Sequence, residues 1–247
     1  MTDGAGPGPA RGAHTGQVTP RPASPGPRDD TWLWALVGLA LGLFSLGFLV
    51  RWRCAVGSCP LPGREWIVDL DAIGGLPRLF TTAVFAATAV AAAVAAVQTR
   101  GTSRLWWSAV TAIGAGLVFA KLVSAHSVLE TSDGTTLTLL VGTVCTVVGL
   151  PALWAAGRAW GVAGSGLVVL GLAVYAVAAL GLDVVTRTVA VVQPQPLPLT
   201  AATFVEELGE ALTAVALLGA VARARARRRL GGRGQHAGSG RLSRTGS

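Results

Sequence analysis

Charge is the scarcest thing in this chain. Of its 247 residues only 13% are Asp, Glu, Lys or Arg, where soluble domains carry about a quarter. That excludes an ordinary water-facing surface over most of the molecule. Lysine occurs once, at Lys121. Histidine occurs three times, at His14, His126 and His236. The first and last fall near the chain ends, which excludes a multi-histidine zinc hydrolase site. The three cysteines, Cys54, Cys59 and Cys145, are too few for a disulfide-built scaffold or a four-cysteine zinc site. No C-x-x-C, no G-x-S-x-G nucleophile elbow, no phosphate-binding glycine loop and no internal repeat is present. The sequence thus carries no enzyme motif, and it calls for no metal and no cofactor.

What is there in quantity is long apolar stretches. Hydrophobic residues make up 51% of the chain, gathered into runs of the length that crosses a hydrocarbon core of ~30 Å. The fold class expected is all-α: a polytopic transmembrane helical bundle of about six spans, 32–50, 79–98, 105–129, 136–157, 161–182 and 201–221. Residues 1–31, rich in Pro, Gly, Ala, Ser and Thr, read as a disordered cytoplasmic tail. Residues 32–222 form the membrane domain, and 223–247 a basic disordered cytoplasmic tail. Trp32, Trp34, Trp52, Trp106, Trp107, Trp154 and Trp160 sit near span ends, as interfacial indoles do. The second span is rich in alanine, which lets helix backbones approach closely in lipid and places it inside the bundle. Pro151 is expected to kink the fourth span. Gly161, Gly164 and Gly166, at the start of the fifth, read as packing glycines.

Arginine sets the orientation. With the N-terminus in the cytoplasm, 14 arginines lie inside and 5 outside. The outer five are Arg51, Arg53, Arg64, Arg78 and Arg187. Both termini are then cytoplasmic, in a multi-pass protein of the cell (plasma or inner) membrane. The outer loop 51–78 holds Cys54 and Cys59, a disulfide pair if the compartment is oxidising. In the same loop Val68-Asp69-Leu70-Asp71 reads as a short structured stretch lying on the outer surface. The loop 183–200, with Pro194, Pro196 and Pro198, reads as an extended, stiff connection. The net charge of +8 with pI near 11.1 comes from span ends and tails. It implies the lipid bilayer as partner, with anionic-lipid contact through the C-terminal arginine cluster, and no nucleic acid. No protein partner can be named.

Ionisable residues within spans are rare and are either paired or functional. There are two groups: Lys121, Ser124, His126 and Glu130 in the third span, and Glu206, Glu207 and Glu210 in the sixth. Lys121 lies nine residues below Glu130, and Glu210 nine below Ala201, about 13 Å in each case. Lys121 therefore has carboxylates at its own depth. His126 and Glu130 point roughly 140–180° away from Lys121 around the helix, so one face cannot present all seven residues. Three readings follow. One is a buried ion pair of Lys121 with Glu207 or Glu210 that sets helix register. Another is a proton, ion or small-solute pathway. The third is a membrane-embedded metal-dependent enzyme using His126 and the glutamates.

These residues resemble a broad family of uncharacterised bacterial multispan integral membrane proteins. In it an acidic outer stretch leads to a proline before the second span, as Asp69, Asp71 and Pro77 do here. Its third span carries a carboxylate-rich signature ending in His, matched in part by Ser124 and His126. Its last span opens on Glu-Glu-x-x-Glu, matched by Glu206, Glu207 and Glu210. The resemblance covers most of residues 64–225 and implies a multispan bundle without an assigned activity. Ala120, Lys121 and Ser127 stand where that pattern tends to have acids, so a carboxylate-only site does not carry over. The multispan ceramidase-like hydrolases are a looser likeness, in their use of Ser, Asp and His within spans. They need several histidines, which this chain lacks.

Overall fold

The computed structural model describes residues 30–70, 72–123, 140, 142–193 and 195–239. The described residues are mostly helical, with no strand among them. Helix α1 spans Thr31–Ala55, α2 Leu76–Val97, α3 Thr102–Val123, α4 Leu150–Ala159, α5 Ser165–Val192 and α6 Pro196–Ser239. A 3-10 turn at Glu65–Ile67 precedes α2, and a π-turn at Cys145–Gly149 runs directly into α4. Four of the helices, α1, α2, α3 and α5, are long and apolar enough to cross a membrane. This is a membrane protein by length and composition. Helix α6 falls outside that group because three glutamates interrupt its apolar stretch. The tail 1–29 lies outside the described residues, as do 124–139, which include the ends of two expected spans.

In lipid, helices gain nothing from hiding apolar surface from one another, so close packing of small residues decides which faces meet. A Cβ on Gly114 of α3 would stand 3.1 Å from Ala89 Cα of α2, and one on Gly171 of α5 would stand 3.2 Å from a Leu217 methyl of α6. Helix α2 lies against both α3 and α6, while α1 and α5 each run along α6. The larger core gathers Phe85, Trp106, Trp107, Tyr175 and Leu217, and a smaller one joins Ala40, Phe44, Leu70 and Ala211.

Pairings along the helices define two ends. At one, Leu33 of α1 lies against Gly219 of α6, and Arg228 donates to the Gln98 carbonyl at 2.6 Å. At the other, Phe48 meets Phe204 with ring centroids 5.1 Å apart, and Cys54 in the last turn of α1 is joined to Cys59 in a disulfide. These are called the arginine end and the disulfide end below.

Several expectations are corrected. The stretch 183–200 is not an extended connection. Helix α5 continues to Val192 and α6 starts at Pro196. Pro196 and Pro198 sit in the first turn of α6, where a missing N–H costs no hydrogen bond. The chain beyond 222 stays helical to Ser239 rather than ending as a coil. Val68 and Leu70 do not lie on the surface; they are buried at 5% and 0% exposure. Asp69 turns back to Arg51 at 3.3 Å; Asp71 lies outside the described residues. Trp106 and Trp107 are core residues stacked edge to face at 4.9 Å, and Trp106 donates to the Leu153 carbonyl at 3.0 Å. Gly161 has φ +61° and nothing for a Cβ to meet, so it serves the turn and not the packing. Gly164 does both: its φ is +80°, and a Cβ there would stand 2.8 Å from that of Ala224. Pro151 is the second residue of α4, two past the end of the π-turn; lacking an N–H, it cannot continue the hydrogen-bond ladder there.

Candidate functional site

Four helices bring charged side chains to one level toward the disulfide end. Measured from the Gln98–Arg228 contact, Arg78 is about 30 Å along α2 and Glu210 about 27 Å along α6, at 1.5 Å per residue. The end of α3 delivers Lys121 to the same level. Its Nζ lies 2.6 Å from Glu210 Oε2 and 3.3 Å from Glu207 Oε2. All three side chains are largely buried, with 13% of Lys121, 12% of Glu207 and 7% of Glu210 exposed. Burial at this depth is tolerable because the opposite charges meet directly; an isolated charge in such surroundings costs several kcal/mol.

Arg78, also buried, donates Nε–H to the Lys121 backbone carbonyl at 2.8 Å. The guanidinium thus ties the first turn of α2 to the backbone that carries Lys121. On α5, Arg187 Nε lies 2.9 Å from both oxygens of Asp183, one helical turn away. Thr186, between them, points its buried hydroxyl toward Glu206 of α6 without a hydrogen bond of good geometry.

These groups surround a cavity of about 220 Å³, lined by Arg78 and Lys121, by Asp183, Thr186 and Arg187 of α5, and by Thr203 and the three glutamates of α6. Tyr175, the chain's single tyrosine, lies close enough to Lys121 and Glu210 to interact with their charges. Its ring meets Phe85 edge to face at 5.0 Å. Toward the arginine end the layer beneath is the apolar core. A second cavity of about 440 Å³ between α3, α4 and α5 is apolar, with Leu117, Cys145, Leu172 and Tyr175 in its wall.

Of the residues singled out from sequence, the structure brings together Lys121, Glu206, Glu207 and Glu210. Ser124, His126 and Glu130 lie outside the described residues. Among the described residues no three His, Cys, Asp or Glu side chains gather as metal ligands would. Sequence reasoning missed Arg78, Asp183, Thr186, Arg187, Thr203 and Tyr175 as site residues. Arg78 and Arg187 were counted as outer anchors, and Asp183 was assigned to a loop. The Asp183/Thr186/Arg187 spacing of three and four is the signal that α5 continues, because it puts all three on one helical face. Comparison with known proteins gives no match: no family model, no curated protein and no solved structure is significantly similar to this chain.

Proposed function

We propose that this chain is a six-span protein of the cell (inner) membrane, with both termini cytoplasmic, that moves a small solute or ion through the charged pocket. One observation carries the transport reading: seven ionisable side chains from four helices surround a cavity instead of collapsing into a dry pair. A structural ion pair needs only Lys121 and one glutamate. Three cations and four carboxylates around an open volume are costly in a bundle of this kind, and such groups belong to substrate and ion paths. The apolar layer beneath closes the pocket on one side, the arrangement of a path open to one compartment at a time. The Lys121–Glu207–Glu210 contact stands at its floor.

Chain direction supports the span count. Helix α3 reaches the pocket at Lys121, whereas α5 begins at the arginine end beside Ala224. The chain between them therefore returns across the bundle, and α4 lies on that return. Leu33 against Gly219 supports termini on the same side, and the 14-to-5 arginine asymmetry supports that side being cytoplasmic. The helical extension of α6 beyond Val221 carries Arg223, Arg225, Arg227 and Arg228, a surface suited to anionic lipid headgroups. The likeness to uncharacterised bacterial multispan proteins belongs with this reading and rests on Glu206, Glu207 and Glu210.

The test is flux in proteoliposomes, using a pH-sensitive dye and labelled small ammonium and carboxylate solutes. Wild type should carry one of them, and Lys121→Met should not. Vesicles that stay as tight as protein-free controls to protons and to both solute classes would overturn the transport reading.

A further inference from the structure

We propose that the pocket is a binding site for a small organic cation of the ammonium type, held between α5 and α6 by Glu206, Thr186 and Thr203. This rests on the pocket being the transport site, and it names the substrate class. The first argument is charge. The pocket holds four carboxylates and three cations, and each cation is already engaged. Lys121 faces Glu207 and Glu210, Arg187 faces Asp183, and Arg78 donates to the Lys121 carbonyl. Glu206 makes no ion pair among the described residues. With all seven groups ionised the pocket as a whole carries one net negative charge, and Glu206 is its carboxylate with no cation in contact among the described residues.

The second argument is hydrogen-bond polarity. The Thr186 hydroxyl is buried in the pocket wall and faces Glu206; with its proton directed at that carboxylate, its oxygen lone pairs remain as acceptors. Thr203 gives its hydroxyl proton to the Leu199 carbonyl at 3.0 Å, which leaves its oxygen lone pairs as acceptors. Thr203 and Glu206 are three residues apart and share a face of α6. What this part of the pocket offers is oxygen acceptors beside a carboxylate, the complement of an ammonium with its three N–H donors.

The third argument is size. A cavity of about 150 Å³ admits benzene, and this one is about 220 Å³. That is room for an organic cation with a short carbon chain, well beyond a bare alkali ion. The carboxylates do not gather three to a point, which disfavours a divalent metal ion.

The experiment uses the full chain in lipid nanodiscs and reads the thermal unfolding midpoint, since a ligand of the folded state raises it in proportion to log concentration above Kd. The probes are propylammonium chloride, sodium propionate and sodium chloride at matched ionic strength. Propylammonium should raise the midpoint saturably while the two sodium salts do not. Glu206→Gln should abolish the response. Thr186→Val, which removes one acceptor without touching a charge, should weaken apparent affinity about tenfold. An equal response to sodium chloride, a response to propionate, or an unchanged ammonium response in both variants overturns the assignment. Ammonium binding without flux would sink the transport reading and leave this site standing. Flux of a carboxylate without ammonium binding would do the reverse.

Discussion

Replacing Lys121 by methionine removes the cation that Glu210 and Glu207 share. At an effective dielectric of about 20, charges at the observed 2.6 and 3.3 Å attract by about 6 and about 5 kcal/mol. Desolvating three ions at several kcal/mol each opposes this, as does repulsion between the two glutamates. The intact cluster therefore adds little net stability, but truncating it is costly. Lys121→Met should lose about 3–5 kcal/mol, the usual range when one member of a buried pair is removed. Glu210→Gln should cost more than Glu207→Gln, because its contact is shorter and its side chain more deeply buried. In Lys121→Met/Glu210→Gln the uncompensated charge is gone, and the loss should be at least about 1.5 kcal/mol smaller than the sum of the two single losses. Equilibrium unfolding in mixed detergent micelles, titrated with dodecyl sulfate, measures all four proteins on one scale. Additivity within about 0.5 kcal/mol for Lys121 with both glutamates would refute the argument and leave Lys121 turned toward the cavity on its own.

Three further outcomes are expected. Cysteines introduced in the tails should react only from the cytoplasmic side, and one at Gln193, in the short connection between α5 and α6, only from outside; outside labelling of the C-terminal tail would break the six-span topology. Non-reduced protein should show Cys54 and Cys59 linked by mass. Reduction should shift the unfolding midpoint little, since the ring constrains only a short local turn; two free thiols would rule the bond out. Gly114→Val should destabilise by about 1–3 kcal/mol, because a Cβ already falls 3.1 Å from the Ala89 backbone, whereas the same change at Gly116, where a Cβ meets nothing within 4 Å, should be mild.

The membrane-spanning helices were legible because hydrocarbon thickness imposes one length on every span, and the apolar runs report it directly. The depth match of Lys121 with Glu210 was legible too, because helical rise converts residue count into height. What was hidden is where a helix stops once apolarity no longer marks it. Asp183 ends the apolar run of α5 but not the helix, since its carboxylate is met by Arg187 one turn on. The three prolines read as a stiff linker when counted together. Two of them fall instead in the first turn of α6, where proline is tolerated.

Arginine counting carries an assumption that this bundle breaks. The count treats each arginine as an anchor in water at a helix end. Trp52, Trp154 and Trp160, still partly exposed, fit the matching picture for indoles, but Trp106 and Trp107 are buried. Arg78 is only 8% exposed and is held by a backbone carbonyl of α3. Its position arises from the recessed start of α2, about level with Glu210, while α5 and α6 extend further toward the disulfide end. Offset helix ends of this kind create a polar recess walled by longer helices, and a topology rule that sees charges only as inside or outside has no place for it. The residues that line the recess therefore emerge only when helix lengths are compared in three dimensions. The same comparison explains why the pocket holds more ions than an ion pair needs: the recessed start of α2 contributes Arg78, a charge that would be a surface group on helices of equal length.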